Sequence, residues 1–370
     1  MKKVLFVATV DSHIRHFHIP YLKYFKENGY EVHVATANDE NELFNYCDKK
    51  HTVTLERSPF KANNLNAIKQ MKKILSEEKF DLVHCHTPMG GVVTRIAAKK
   101  ARKSGTKVFY TAHGFHFFKG APMINWLVYY PIEKWLSRYT DVLITINKED
   151  FEYAKKFKAR KVEKIDGIGV DAKRFQINIS ENEKSELRKE FGIKDKDVVL
   201  TYVAELIPRK NQSLLIETMK DVIEKNKYIK LLLVGTGILK EEYENKIKAL
   251  GLEKNIIFTG YRKDVPKIFK ITDIVVSTSK QEGLPINLVE AQMSGLPVIA
   301  TNVRGNNEVV IDGENGYIVE NREELLEKIL FFSEDSELRK AMGEKAKENS
   351  KKYELNNALE EMKEIYINNI

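Results

Sequence analysis

Apolar runs of four to six residues, rich in Val, Ile and Leu, alternate along this chain with longer stretches in which apolar positions recur three and four apart. The short runs read as buried parallel strands and the longer ones as amphipathic helices packed on them. In the first half the expected strands fall at 4–8, 31–35, 82–86, 107–112 and 142–145; a second cycle places them at 198–203, 230–234, 256–259, 273–277 and 297–300. Such alternation is the pattern of open parallel α/β sheets. Between the cycles lies Ile165-Asp166-Gly167-Ile168-Gly169-Val170-Asp171-Ala172-Lys173-Arg174-Phe175, with turn residues and no periodic stretch, which reads as a hinge. Two α/β domains joined this way define a cleft, because such sheets bind ligands beyond the carboxyl ends of their strands.

At 370 residues each half is long enough for its own core. Hydrophobic content of 42% and charged content of 31% are those of a soluble globular protein. No apolar run approaches the ~20 residues of a membrane span. Lys2 and Lys3 lead directly into Val4-Leu5-Phe6-Val7-Ala8, a strand rather than a signal peptide, so a cytoplasmic location is expected. Charge is uneven: residues 1–180 hold 31 Lys+Arg against 19 Asp+Glu, net +12, and the remainder 30 against 34, net −4. Runs such as Lys69/Lys72/Lys73 and Lys99/Lys100/Arg102/Lys103 are solvated helix faces or, with aromatic residues nearby, a surface for an anionic membrane. Nothing in the chain has a nucleic-acid-binding signature. The two cysteines, Cys47 and Cys85, offer neither a disulfide framework nor a metal cage. His84-Cys85-His86 fails as a zinc site because adjacent strand residues point to opposite faces.

The richest chemistry lies in Ser279-Lys280-Gln281-Glu282-Gly283-Leu284-Pro285-Ile286-Asn287-Leu288-Val289-Glu290. A strand precedes it, Pro285 suits a first helical turn, and Gly295 with Pro297 marks the stop. Glu282 then sits in a loop and Glu290 in the helix. On one continuous helix, eight residues turn about 800°, roughly 80° off a common face, so the two carboxylates converge on one ligand only across such a turn. N–H groups around Asn287 and Leu288 would face a phosphate there, although acidic residues near a helix start also simply complement its dipole. Val203-Ala204-Glu205-Leu206-Ile207-Pro208-Arg209-Lys210 is a strand end followed by a basic loop, and Gly235-Thr236-Gly237 after the next strand lets a ligand approach the backbone. It lacks the third glycine of a dinucleotide fingerprint. The one Asp-x-Asp, Asp195-Lys196-Asp197, reads as a turn.

Glu282-x7-Glu290, with Ser294-Gly295-Leu296-Pro297-Val298-Ile299-Ala300-Thr301 and Gly313-Glu314-Asn315-Gly316-Tyr317 after it, resembles the donor-binding half of the retaining GT-B glycosyltransferases of family 4. The resemblance spans nearly the whole chain. It implies two Rossmann-like parallel-sheet domains, 1–175 for the acceptor and 176–350 for the nucleotide sugar, with a helix at 351–370 crossing back to the first. By the same resemblance Lys210 sits on the diphosphate and Glu290 binds the ribose. Glu282 contacts the transferred sugar, with Gly283, Leu284, Asn287 and Leu288 beside it, and Gly235, Gly237 and Tyr261 lie near the base and ribose. The family's Arg falls on Glu205, and Arg209 or Arg262 is the candidate substitute.

In the first half, Thr111-Ala112-His113-Gly114-Phe115-His116 matches the family's histidine that reaches the donor sugar, at His113. Thr9-Val10-Asp11-Ser12-His13-Ile14-Arg15-His16-Phe17-His18 replaces the family's usual glycine pair and is similar to loops of capsule and exopolysaccharide transferases. His13, Arg15 and His16 are candidates for acceptor phosphate, with the three spaced histidines a rival metal site. The aromatic stretch from Phe115 to Trp135 serves as core or as a membrane-facing lip. Together these features imply metal-free, cofactor-free transfer from a UDP-sugar to a lipid-linked or other glycan acceptor, on the inner face of a membrane. A UDP-N-acetylglucosamine 2-epimerase-like isomerase and a non-catalytic sugar-nucleotide-binding subunit fit the same architecture.

Overall fold

The computed structural model describes residues 1–37 and 44–370. The chain divides into two units, Met1–Gly169 with Asn356–Ile370, and Val170–Leu355. The second unit begins at Val170 rather than 176. Val170 donates its N–H to Tyr353 (2.9 Å) and accepts from Leu355 (2.9 Å), which fixes it to the far end of its own unit.

In the first unit β1 (Lys3–Val7), β2 (Glu31–Thr36), β3 (Lys49–Thr52), β4 (Leu82–His86), β5 (Lys107–Ala112), β6 (Val142–Thr145) and β7 (Lys161–Lys164) form a parallel sheet in the order β3-β2-β1-β4-β5-β6-β7. The second contains β8 (Val198–Val203), β9 (Ile229–Val234), β10 (Ile256–Gly260), β11 (Ile274–Ser277), β12 (Val298–Thr301) and β13 (Gly316–Val319), ordered β10-β9-β8-β11-β12-β13. Their central strands are buried on both faces, which is why they read as continuous apolar runs. The strands that patterning missed are edges. Lys49-Lys50-His51-Thr52 and Lys161-Val162-Glu163-Lys164 carry the charge that keeps a sheet edge from pairing with another chain, and β13 follows a glycine turn.

The order of strands reverses between β1 and β4 in one unit and between β8 and β11 in the other. A crevice opens beyond the carboxyl ends at each such point. The terminal helix is shorter than expected: a 3-10 turn, Lys351–Tyr353, precedes a helix at Leu355–Ile367. Its apolar face belongs to the first unit, where Tyr366 bonds His84 Nδ1 through its hydroxyl (2.8 Å) and stacks on Phe109 (5.9 Å between ring centres). No described helix is long and apolar enough to cross a membrane.

Candidate active site

In the second unit the loops after β8 and β11 meet at the reversal point. Lys210 Nζ lies 2.5 Å from Glu282 Oε1, and Arg209 donates to Glu282 Oε2 (3.1 Å) and to the Gln281 carbonyl (2.9 Å). Tyr202 near the carboxyl end of β8 donates its hydroxyl to the Lys210 carbonyl (2.7 Å) and also contacts the Ser279 hydroxyl (2.9 Å), so both loops rest on one buried phenol. Burial alone would raise the Glu282 carboxyl. The charges of Lys210 and Arg209 overcome that and hold it below its ordinary value, while burial lowers Lys210 against the pull of Glu282.

Two residues that sequence reasoning passed over hold this loop from below. Buried Arg304 donates to the Glu282 carbonyl (3.1 Å), and a Cβ on Gly305 would stand 2.8 Å from the Gly283 carbonyl oxygen. The signal was present in the Arg-Gly that follows β12. Leu284 is buried beside them.

The helix after the loop, Ile286–Met293, carries Glu290, whose carboxyl is pushed up to about 7 by burial, with Arg174 opposing. Glu290 is thus poised near neutrality while Glu282 is fixed as an anion. Asn287 donates its amide to the Val203 carbonyl (3.0 Å), tying the helix start to β8. The expectation of a phosphate-facing N–H at Leu288 is corrected, because that group donates to the Pro285 carbonyl (3.0 Å) and closes the first turn.

The glycine turn also has a different reason from the one expected. A Cβ on Gly235 would lie 2.1 Å from the Ala204 carbonyl oxygen and one on Gly237 2.4 Å from that of Leu206. The close neighbour is therefore the β8 loop's own backbone, held by the Leu206 N–H to Thr236 (2.9 Å). Tyr261 is 68% exposed. Arg262 is spent elsewhere, bidentate on Asp264 (2.8 and 2.7 Å) and paired with Glu190 (2.6 Å), so Arg209 is the cation placed beside Lys210. Asp197 accepts the Lys194 N–H (2.8 Å) and closes a turn, as expected of Asp195-Lys196-Asp197.

In the first unit, His113 follows β5 and its Nε2 lies 3.4 Å from His86 Nδ1 at the end of β4. The short helix after β1, Asp11–Phe17, brings His13 to 4.7 Å from His113, ring centre to ring centre. Its two companions are not with it. His16 is exposed and bonded to the Ser12 carbonyl of its own helix (2.6 Å), and Arg15 lies over the Phe44 ring (4.7 Å). The histidines that join His13 are His18, His86 and His113, which corrects the idea of a site built from positions 13, 16 and 18. His84 and His86 share one strand face, their ring centres 4.1 Å apart, while the Cys85 thiol turns to the other side and donates to the Phe109 carbonyl.

The aromatic stretch divides between its two readings. Phe115 and Phe117 are core, with Trp126, Tyr129 and Tyr130 packed on them. Met123, Ile124, Leu127 and Trp135 of the helix Met123–Leu136 remain exposed. Lys99 sits on the Trp135 ring (4.7 Å) and also lines a groove of about 1250 Å³ with Lys2, Lys72, Lys73, Lys79 and Lys100.

Two doubly wound parallel sheets, the second with two cations and a carboxylate gathered at its switch point, make this an α/β protein of the class that binds ligands beyond the carboxyl ends of its strands. The comparisons specify the family. Residues 183–349 match the model for glycosyl transferases group 1, and 3–147 that for glycosyl transferase 4-like domains. The Bacillus subtilis (strain 168) protein named "Putative glycosyltransferase EpsD" is 42% identical over 369 residues, 99% of this chain and 96% of that one. An Escherichia coli UDP-Gal:alpha-D-GlcNAc-diphosphoundecaprenol alpha-1,3-galactosyltransferase is 34% identical over 71% of this chain and 70% of its own length. Among solved structures, Anabaena Alr3699/HepE in complex with UDP and glucose superposes with a TM-score of 0.81 at 21% identity, covering 100% of both chains. The chain belongs to the family 4 glycosyltransferases and has their GT-B fold.

Proposed function

We propose that the chain is a retaining glycosyltransferase that moves a hexose or N-acetylhexosamine from a UDP-sugar to a lipid-linked glycan in surface-polysaccharide synthesis, without a metal. The observation that carries this reading is the Glu282 carboxylate held between Lys210 and Arg209 at the switch point of the second sheet. A departing diphosphate gains negative charge, and fixed cations aimed at it lower the barrier most. Lys210 and Arg209 take that role, Glu290 binds the ribose, and Glu282 and His113 position the transferred sugar and stabilise its oxocarbenium character. With two cations on its carboxylate, Glu282 is a poor nucleophile, and the leaving phosphate takes the acceptor's proton.

The relatives favour the acceptor class: one acts on a diphosphoundecaprenol-linked sugar by name. Membrane attachment draws support from the exposed Met123, Ile124, Leu127 and Trp135 of one helix and from the lysine groove, whose Lys99 lies on the Trp135 ring, apolar and basic groups suited to an anionic surface.

The test is UDP release from a panel of UDP-sugars in EDTA, with and without membranes bearing lipid-linked acceptor. Acceptor-dependent release, with the product's anomeric configuration retained by NMR, is expected. Interconversion of the UDP-sugar without acceptor would make the protein an epimerase, and binding without release would make it a non-catalytic subunit.

A further inference from the structure

Four imidazoles converge in the first unit at the carboxyl ends of β1, β4 and β5. His13, His18, His86 and His113 each place one ring nitrogen within 4.8 Å of the others'. Their ring centres are separated by 3.8 Å (His18 and His86) to 6.1 Å (His13 and His86). His86 Nδ1 and His113 Nε2 are 3.4 Å apart. That is about the edge, ~3.4 Å, of a tetrahedron of nitrogens around a cation with bonds of about 2.0–2.1 Å.

Among the described residues, His13 Nε2, both nitrogens of His18 and His86 Nε2 have no hydrogen-bond partner in the protein. Polar atoms buried without a partner are costly to the fold. His84 next to them is the contrast, because Tyr366 and Thr111 satisfy both of its nitrogens at 2.8 Å. Among the described residues, the orphaned buried imidazole nitrogens all belong to the quartet. Imidazole lone pairs from three strand ends meet there, an arrangement that suits a cation. A second group, His33, His51 and Glu78, is already consumed: His33 bonds Glu31 (2.7 Å) and His51 (3.0 Å), and Glu78 pairs with Lys3 (2.9 Å) and Lys49.

We propose that His13, His18, His86 and His113 form a binding site for a divalent transition-metal cation of the zinc class. The site is separate from the groups that handle the diphosphate, and its existence does not depend on the transfer reaction. Where transfer does use His113, occupancy withdraws that ring from the sugar, so the cation acts as an inhibitor and chelation relieves it.

The experiment uses the full chain, stripped with chelator and titrated with Co²⁺. One equivalent should bind with the intense visible absorption of a tetrahedral site and be displaced by Zn²⁺. Affinity should fall at least the ten-fold that loss of even a second-shell partner costs in His18→Gln and in His86→Gln, and stay unchanged in His51→Gln. X-ray absorption of the zinc-loaded wild type, which needs no variant to fold, should show a nitrogen shell at about 2.0–2.1 Å. No stoichiometric binding, a six-coordinate oxygen shell, wild-type affinity in both quartet variants, or loss in His51→Gln alone would each overturn the proposal.

Discussion

Replacing Glu282 by Gln keeps the side chain's shape and removes its charge. Lys210 is then left as a cation whose side chain is only 13% exposed. Breaking one partner out of a buried pair costs about 3–5 kcal/mol. A second route to the magnitude uses the alternative open to the protein, which is to deprotonate Lys210. Bringing an amine from its ordinary 10.5 to neutral at pH 7 costs about 3.5 × 1.36, or about 5 kcal/mol, which sets a ceiling of the same size. Arg209, 43% exposed, adds little. In the variant the folded-state pKa of Lys210 lies below the unfolded one, so stability is lost as pH falls from the unfolded value toward the folded one. The deficit should therefore shrink as pH rises toward 10, by up to about 1.4 kcal/mol per unit.

Both tryptophans, Trp126 and Trp135, lie in the first unit, so fluorescence does not report on this site. Hydrogen exchange of peptides from β8 and β11 does. Pairing Glu282→Gln with Lys210→Met removes the orphaned charge and should return protection to within about 1 kcal/mol of wild type. A single variant as stable as wild type, or a double variant as damaged as the single one, would refute the reasoning.

Three further outcomes follow from other contacts. Glu290 has its folded pKa raised to about 7, so the stability it contributes is present below its unfolded value near 4.5 and lost as pH rises through 7. The loss should be up to about 3 kcal/mol in urea titrations and absent in Glu290→Gln; equal slopes in the two proteins would rule burial out as the cause. Gly235→Ala must push its Cβ off the Ala204 carbonyl at a φ of +143°, so thermal unfolding should show a loss of about 1–3 kcal/mol or more, and an unchanged midpoint would contradict the close packing of the two loops. Tyr366→Phe leaves His84 Nδ1 unpaired and should cost about 1–3 kcal/mol, read by tryptophan fluorescence of the first unit; no change would mean the terminal helix is held by its apolar face alone.

The central strands were legible in the residues because burial on both faces demands continuous apolar runs: in the first sheet three expected ranges coincide with observed strands and two more differ by no more than one residue at either end. Glu282 and Glu290 stood out on either side of a strand-to-helix turn, where ligand groups sit in such sheets, and Lys210 through its resemblance to the family's phosphate loop. What the pattern of residues does not carry is which groups meet. Strand order brings the β8 loop to the β11 loop across 72 residues of chain, so the Lys210–Glu282 pair exists only once β8 and β11 are neighbours. The edge strands β3 and β7 were hidden because solvent permits the charge that periodicity reads as loop.

Spacing along the chain determined two α/β units and their buried strands, and the resemblance to the family's motifs singled out the carboxylates and cations at the strand ends. Tertiary structure alone decided that Arg262 is spent on Asp264 and Glu190, that the Gly235 turn makes room for backbone, and that His13 joins His18, His86 and His113 instead of His16. Secondary structure is set by contacts a few residues apart, whereas ion pairs and imidazole clusters are set by strand order, which brings together side chains far apart in sequence.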